Sequence, residues 1–121
     1  MPKKLRYVIM ANNKLYKGSL ATIILRLLEE NDRMYGYEIC QKVKELTDGQ
    51  LIVTEGALYP ALHKLEGDGF LRVEYQEVDG RMRKYYLLTE DGQKETASKM
   101  AELESFIKQM QLLLDWKPGM A

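Results

Sequence analysis

The side chains best able to do chemistry in this chain suit the holding of a polyanion better than the making or breaking of bonds. Thr54, Gly56, Tyr59, His63 and Lys64 stand close together along one segment, and Arg81, Arg83 and Lys84 follow directly on Asp79-Gly80. Hydroxyls, an imidazole and cations at these spacings match phosphate oxygens and base edges. Catalysis fits poorly. His63 is the only histidine and Cys40 the only cysteine, so a His/Cys metal site lacks partners and His63 lacks a catalytic companion. There is no Gly-rich phosphate loop and no nucleophile motif. The sequence therefore predicts no enzyme, no cofactor and no metal.

Composition sets further bounds. With 121 residues the chain is expected to form one small domain, and so short a chain gains from oligomerisation because it buries a limited share of its surface. Its 18 basic and 18 acidic residues cancel, and a net charge of zero slightly disfavours nucleic acid. Distribution matters more than the sum. Lys3, Lys4, Arg6, Lys14, Lys17 and Arg26 fall within residues 1–28 without one acidic residue, whereas the last third leans acidic. Folding could gather the positive segments on one face. A single cysteine excludes an intrachain disulfide and reads as a small buried thiol in a reducing compartment. No segment reaches the roughly 18 apolar residues of a membrane span, and the basic N-terminus lacks the apolar run of a secretory signal. The expected location is the cytoplasm, with no membrane partner.

The elements that must position these groups can be read from periodicity. Residues 1–17 are basic and mixed, an arm or a short helix. Leu20, Ile23, Ile24, Leu27 and Leu28 recur at helical spacing over about 18–30. A second helix spans about 35–46, with Ile39, Val43 and Leu46 on its inner face, and Gly49 closes it. Thr54 is a good N-cap for a third helix over about 55–67, lined inside by Leu58, Leu62 and Leu65. The period then changes to two. Leu71, Val73 and Tyr75 alternate with polar residues, Asp79-Gly80 supplies a tight turn, and residues 82–88 return as a second strand. Thr89 caps a final helix over about 90–115, followed by a tail over 116–121.

Three helices followed by a two-stranded ribbon is the order of a winged helix-turn-helix, here covering residues 18–89. The fold class expected is mainly α with a β-hairpin (α+β). In that fold the third helix enters a major groove and the hairpin lies beside it. With the leucines facing inward, Gly56, Tyr59, His63 and Lys64 of the third helix face out. Pro60 breaks the local rules, since a proline inside a helix costs about 3 kcal/mol, and such a breach points to a functional constraint. Tyr37 is either a phosphate ligand or a core tyrosine with a satisfied hydroxyl.

The final helix carries Thr96, Met100, Leu103, Ile107, Met110 and Leu114 at alternating spacings of four and three, with Phe106 and Leu113 alongside. This is a heptad seam. The expectation is a homodimer whose interface contains Met100, Leu103, Phe106, Ile107, Met110, Leu113 and Leu114; the alternative is a helix folded back on its own domain. Met110 and Trp116 are candidates for a pocket that takes a small hydrophobic or aromatic effector.

The chain also resembles a known family. Tyr35-Gly36-Tyr37-Glu38-Ile39 resembles the start of the second helix in PadR-type transcriptional regulators, and Glu55-Gly56-Ala57-Leu58-Tyr59-Pro60-Ala61-Leu62-His63-Lys64-Leu65-Glu66 resembles their recognition helix. Gly80-Arg81-Met82-Arg83-Lys84-Tyr85-Tyr86-Leu87-Leu88-Thr89 is similar to their wing, and Glu90-Asp91-Gly92 to the start of their last helix. With Lys17-Gly18-Ser19-Leu20, the likeness covers about 17–92. It departs at Met82, where the wing usually has proline, and at Ala57, where a hydroxyl residue is common. The resemblance implies a homodimeric repressor on double-stranded DNA with a palindromic operator, released by a small ligand. Its short length and single last helix look like the family's short branch. The competing reading is a winged-helix module that binds protein and has lost DNA binding.

Overall fold

The structure is a computed structural model that describes residues 16–119. The basic positions Lys3, Lys4, Arg6 and Lys14 lie outside the described residues. A single 3-10 turn, Tyr16–Ser19, leads into helix α1 (Leu20–Glu30); α2 (Gly36–Leu46) and α3 (Glu55–Gly67) follow, then strands β1 (Leu71–Val78) and β2 (Arg81–Leu88), and last the long α4 (Glu90–Asp115).

Local chemistry sets these boundaries. The Asn31 side-chain amide donates to the Leu27 carbonyl at 2.8 Å and closes α1. The Tyr35 N–H donates to the Glu38 carboxylate at 3.2 Å, tying off the start of α2. At its other end Gly49 adopts φ +77° and returns its N–H to Lys44 at 2.7 Å. Thr54 accepts from the Ala57 N–H at 3.3 Å and caps α3. Asp79 and Gly80 both take positive φ, 51° and 77°, as the tightest hairpin turns require. The strands pair antiparallel from Leu71↔Leu88 to Val78↔Arg81.

One core joins α1, α2, α3 and the hairpin. Ile24 and Leu25 of α1, Ile39 of α2, Leu58 and Leu62 of α3 and Tyr86 of β2 are essentially fully buried. Leu46 is not among them: it is 68% exposed. It falls on the last turn of α2, at the rim of an open groove that it shares with Ile23, Leu51 and Met100, so helical spacing alone misplaced it. Tyr75 is exposed as well, because the hairpin tip projects beyond the core that covers Leu71.

The last helix divides along its length. Gly92 and Thr96 are buried against the domain, and the Thr96 hydroxyl donates to the Gly92 carbonyl at 2.7 Å. Thr96 is thus removed from the expected seam. Met100 and Leu103 are half-buried and border an apolar groove with Ile23, Leu46 and Leu51. Beyond them, Phe106, Ile107, Leu113 and Leu114 are exposed, with Met110 half-buried between them. The helix folds back on its own domain over its first turns and leaves it over the rest.

Candidate nucleic-acid interface

Helix α3 turns Leu58, Leu62 and Leu65 inward and leaves Thr54, Glu55, Gly56, Tyr59, Pro60, His63 and Lys64 on its open side. Its first N–H groups face out past Gly56, which has no neighbour within 4 Å of where a side chain would begin. Free N–H groups and the helix dipole favour an anion there, opposed in part by Glu55. Pro60 does not interrupt the helix, which runs unbroken from Glu55 to Gly67. Its ring displaces the carbonyl four residues back, at Gly56. Both residues are exposed, so water can satisfy that carbonyl. Lys64 pairs with Asp68 at 3.2 Å, but its side chain is 78% exposed, a weak pairing that a phosphate can replace.

Tyr59 is less free than its helical position implies. It is 37% exposed, and its ring lies against the first residue of α2: a side chain built on Gly36 would come within 2.6 Å of the Tyr59 hydroxyl and 2.9 Å of Cζ. Gly36 is thus the seat of Tyr59. Burial first, and then the Glu55 carboxylate, raise the Tyr59 phenol above its ordinary pKa, so it stays a hydrogen-bond donor. Gly36→Ala is expected to push the ring outward, because the obstruction is the far end of a side chain that can rotate. The fold should lose about 1 kcal/mol and, on the DNA-binding reading proposed below, affinity for DNA should fall roughly tenfold, about 1.4 kcal/mol. Thermal melts and fluorescence anisotropy on the same preparation separate the two effects; a large loss of stability with unchanged affinity would contradict this seat.

The wing cations are not a uniform cluster. Lys84 approaches Glu66 of α3 at 3.9 Å and the Tyr86 ring at 5.3 Å. The Arg83 guanidinium lies 4.1 Å over the Tyr35 ring. Only Arg81 is exposed and, among the described residues, in no ion pair. Tyr37 is exposed rather than core; its ring stacks on Tyr35 with centroids 6.5 Å apart. Tyr35, Gly36, Tyr37, Tyr59, Arg81 and Arg83 all line one cleft between the hairpin and the start of α2.

Sequence reasoning missed Tyr35, which lines this cleft, and with it Tyr85, which meets the Tyr35 ring, and Arg33, which lies over Tyr85. Met34 forms an isolated antiparallel bridge with Tyr86, through hydrogen bonds of 3.2 and 2.9 Å. Side chains alternate on either side of such a bridge. Met34 and Tyr86 therefore go to the core, and Arg33 and Tyr35 join Tyr85 and Arg83 on the opposite face. The Arg33 guanidinium sits 4.1 Å over Tyr85, and Tyr85 meets Tyr35 edge to face at 5.6 Å. A bridge one residue long leaves no periodic trace, so only the run of tyrosines hinted at it.

Cys40 is half-buried. Burial first, and then Glu55, push its thiol above the ordinary value, which favours the protonated form. Met110 and Trp116 do not meet on one protomer: six residues separate them, about 120° around the helix axis. Among the described residues no group of three metal-ligating side chains occurs, and no helix is long and apolar enough to cross a membrane.

The pattern of the PadR-like transcriptional regulator family matches residues 24–98. The chain belongs to that family. The match runs from α1 through the hairpin into α4, so it includes the whole cleft. Among solved structures, a transcriptional regulator from Clostridium thermocellum is 35% identical and superposes with a TM-score of 0.75 over 81% of this chain and 95% of that one. A PadR-like transcription factor from Bacteroides fragilis is 34% identical, with a TM-score of 0.66 over 85% of this chain and 97% of its own. Transcriptional regulator Rv3488 of Mycobacterium tuberculosis is 37% identical over 67 residues, 55% of this chain and 63% of that protein. This PadR-family chain is accordingly a winged helix-turn-helix transcriptional regulator and not an enzyme.

Proposed function

We propose that the chain binds double-stranded DNA sequence-specifically as a homodimer, with α3 in the major groove and the hairpin along the backbone, and acts as a repressor. The observation that carries this reading is the open side of α3, with its uncovered N-terminus and exposed Thr54, Gly56, His63 and Lys64, flanked by the exposed Arg81. Thr54, Arg81, Arg83 and Lys84 serve the phosphates, and Tyr37 adds an exposed hydroxyl. Gly56, Tyr59, His63 and Lys64 approach the groove. A two-fold dimer through the outer part of α4 would present two such helices to a palindromic operator. The exposed Phe106, Leu113, Leu114 and Trp116, with Met110, would give that dimer an adaptable apolar lining for a hydrophobic or aromatic effector that releases the DNA.

The test is a mobility-shift and protection experiment on the DNA upstream of the protein's own gene. Arg81→Ala should weaken binding to all sequences alike and reduce the slope of log affinity against log salt by about one phosphate contact, roughly 0.9. An unchanged slope would remove Arg81 from the interface. No salt-sensitive, sequence-specific shift with the wild-type chain would favour the protein-interaction reading instead.

A further inference from the structure

We propose that Tyr35 is a positioning residue for DNA binding: its ring holds the Arg83 guanidinium at the mouth of the cleft, ready for a backbone phosphate. The inference rests on the DNA-binding reading above and adds a residue that touches no DNA in its own right.

The contacts form a chain of two rings with a cation at each end. Arg33 lies over Tyr85 at 4.1 Å, Tyr85 abuts Tyr35 at 5.6 Å with planes 83° apart, and Arg83 lies over Tyr35 at 4.1 Å. The two arginines at its ends differ in what else they touch. Arg33 is neutralised locally, by Glu74 at 3.5 Å, and also reaches Gln76. Arg83 is in no ion pair among the described residues; the Tyr85 hydroxyl and, farther off, the Glu38 carboxylate act on it, and no carboxylate among them comes close enough to take up its charge, which remains available to an outside partner.

Geometry decides what Arg83 can do there. The central carbon of the guanidinium lies over the Tyr35 ring, and a guanidinium carries five N–H donors in one plane. Contact with the ring holds the group in place, and the donors not turned to the Tyr85 hydroxyl remain for a phosphate. A free wing arginine would lose side-chain entropy when it bound; one already seated loses less. Tyr35 itself is anchored from both sides: its backbone N–H is bound by Glu38 at 3.2 Å, and its neighbour Met34 is bridged to β2. Arg83 thus takes its position from the body of the domain rather than from the hairpin tip.

The discriminating readout is the salt dependence of affinity. Tyr35 is uncharged, so losing its bulk alone has no reason to change the number of phosphates neutralised. The full chain is titrated against a fluorescent mixed-sequence DNA duplex across a potassium chloride series. Tyr35→Leu is expected to lower the slope by about 0.9, one phosphate contact, and to match Arg83→Ala, with the double variant no weaker than either single one. Tyr35→Phe, which keeps the ring, should bind as wild type. Arg83→Lys keeps the charge and the unaltered Tyr35, which guards against a misfolded Tyr35→Leu protein; it should lose most of what Arg83→Ala loses. A wild-type slope in Tyr35→Leu, additive losses in the double variant, or full affinity in Arg83→Lys would overturn the assignment while DNA binding stands. Absence of salt-dependent binding by the wild-type chain would overturn the DNA-binding reading and this inference with it.

Discussion

Gly92→Ala is expected to lower the stability of the fold by about 3 kcal/mol, at the upper end for an overpacked site, and its melting temperature by roughly 15 °C. A methyl group at this position would fall well inside contact with the Phe70 carbonyl oxygen, 3.0 Å from the Phe70 carbonyl carbon and 3.2 Å from Leu88 Cδ2. The obstruction is backbone, and that backbone is fixed from three directions. The Phe70 carbonyl accepts from the Thr89 N–H at 3.1 Å, and the Phe70 N–H donates to Leu65 at 2.9 Å. The Thr89 hydroxyl donates to the Gly69 carbonyl at 2.6 Å while accepting from the Gly92 N–H at 3.0 Å. Gly92 therefore joins the end of α3, the start of β1 and the cap of α4 in one knot. To relieve the clash, α4 must lift from the domain or the cap must break. Urea melts at equal protein concentration measure the effect. Gly67→Ala is the control: nothing lies within 4 Å of its side-chain position, and removing unfolded-chain entropy there should stabilise by about 0.5 kcal/mol. Equal stability of Gly92→Ala and wild type would mean that α4 does not dock as described.

The same knot shows what could be read from sequence. Thr54, Gly49 and Asp79-Gly80 act within a few residues of themselves, as Thr89 does in capping Gly92, and a cap or a turn needs only its own neighbourhood; the bond from Thr89 to Gly69 spans twenty residues and left no such mark. The inner stripes of α1 and α3 were legible because burial there is continuous over several turns. Leu46 and Thr96 were misassigned because periodicity gives a face but not where the neighbouring element ends. The seat of Tyr59 on Gly36 and the stacking of Arg83 on Tyr35 depend on residues more than twenty positions apart. Their only local mark is the aromatic richness of residues 35–37 and 85–86. The division of labour among Arg81, Arg83 and Lys84 was hidden for the same reason: three adjacent cations look equivalent until the strand's two faces acquire different neighbours.

Helix α4 divides along its length into a docked and an exposed part. Gly92 and Thr96 hold the helix to its own domain, whereas Phe106, Ile107, Leu113 and Leu114 are each more than half exposed. Burying such side chains is worth about 1.5–3 kcal/mol apiece, which a second copy can supply through the proposed two-fold seam. Ile107→Asp would place a carboxylate in that seam twice, once from each chain, without compensating partners. Sedimentation at micromolar concentration is expected to show monomers in place of dimers. The thermal transition of the domain should survive, since Ile107 contributes nothing to the core around Ile24 and Leu58. Affinity for an operator with two half-sites should fall roughly a hundredfold to ten-thousandfold, because the second contact is no longer intramolecular. Leu112→Asp separates a seam from general stickiness. Leu112 is 74% exposed, more than Ile107 at 55%, yet it lies five residues on, about 140° around the helix. The same charge there should leave the dimer intact. Dissociation by both variants would show that any exposed leucine of α4 serves, and dissociation by neither would place the contact between copies on another surface.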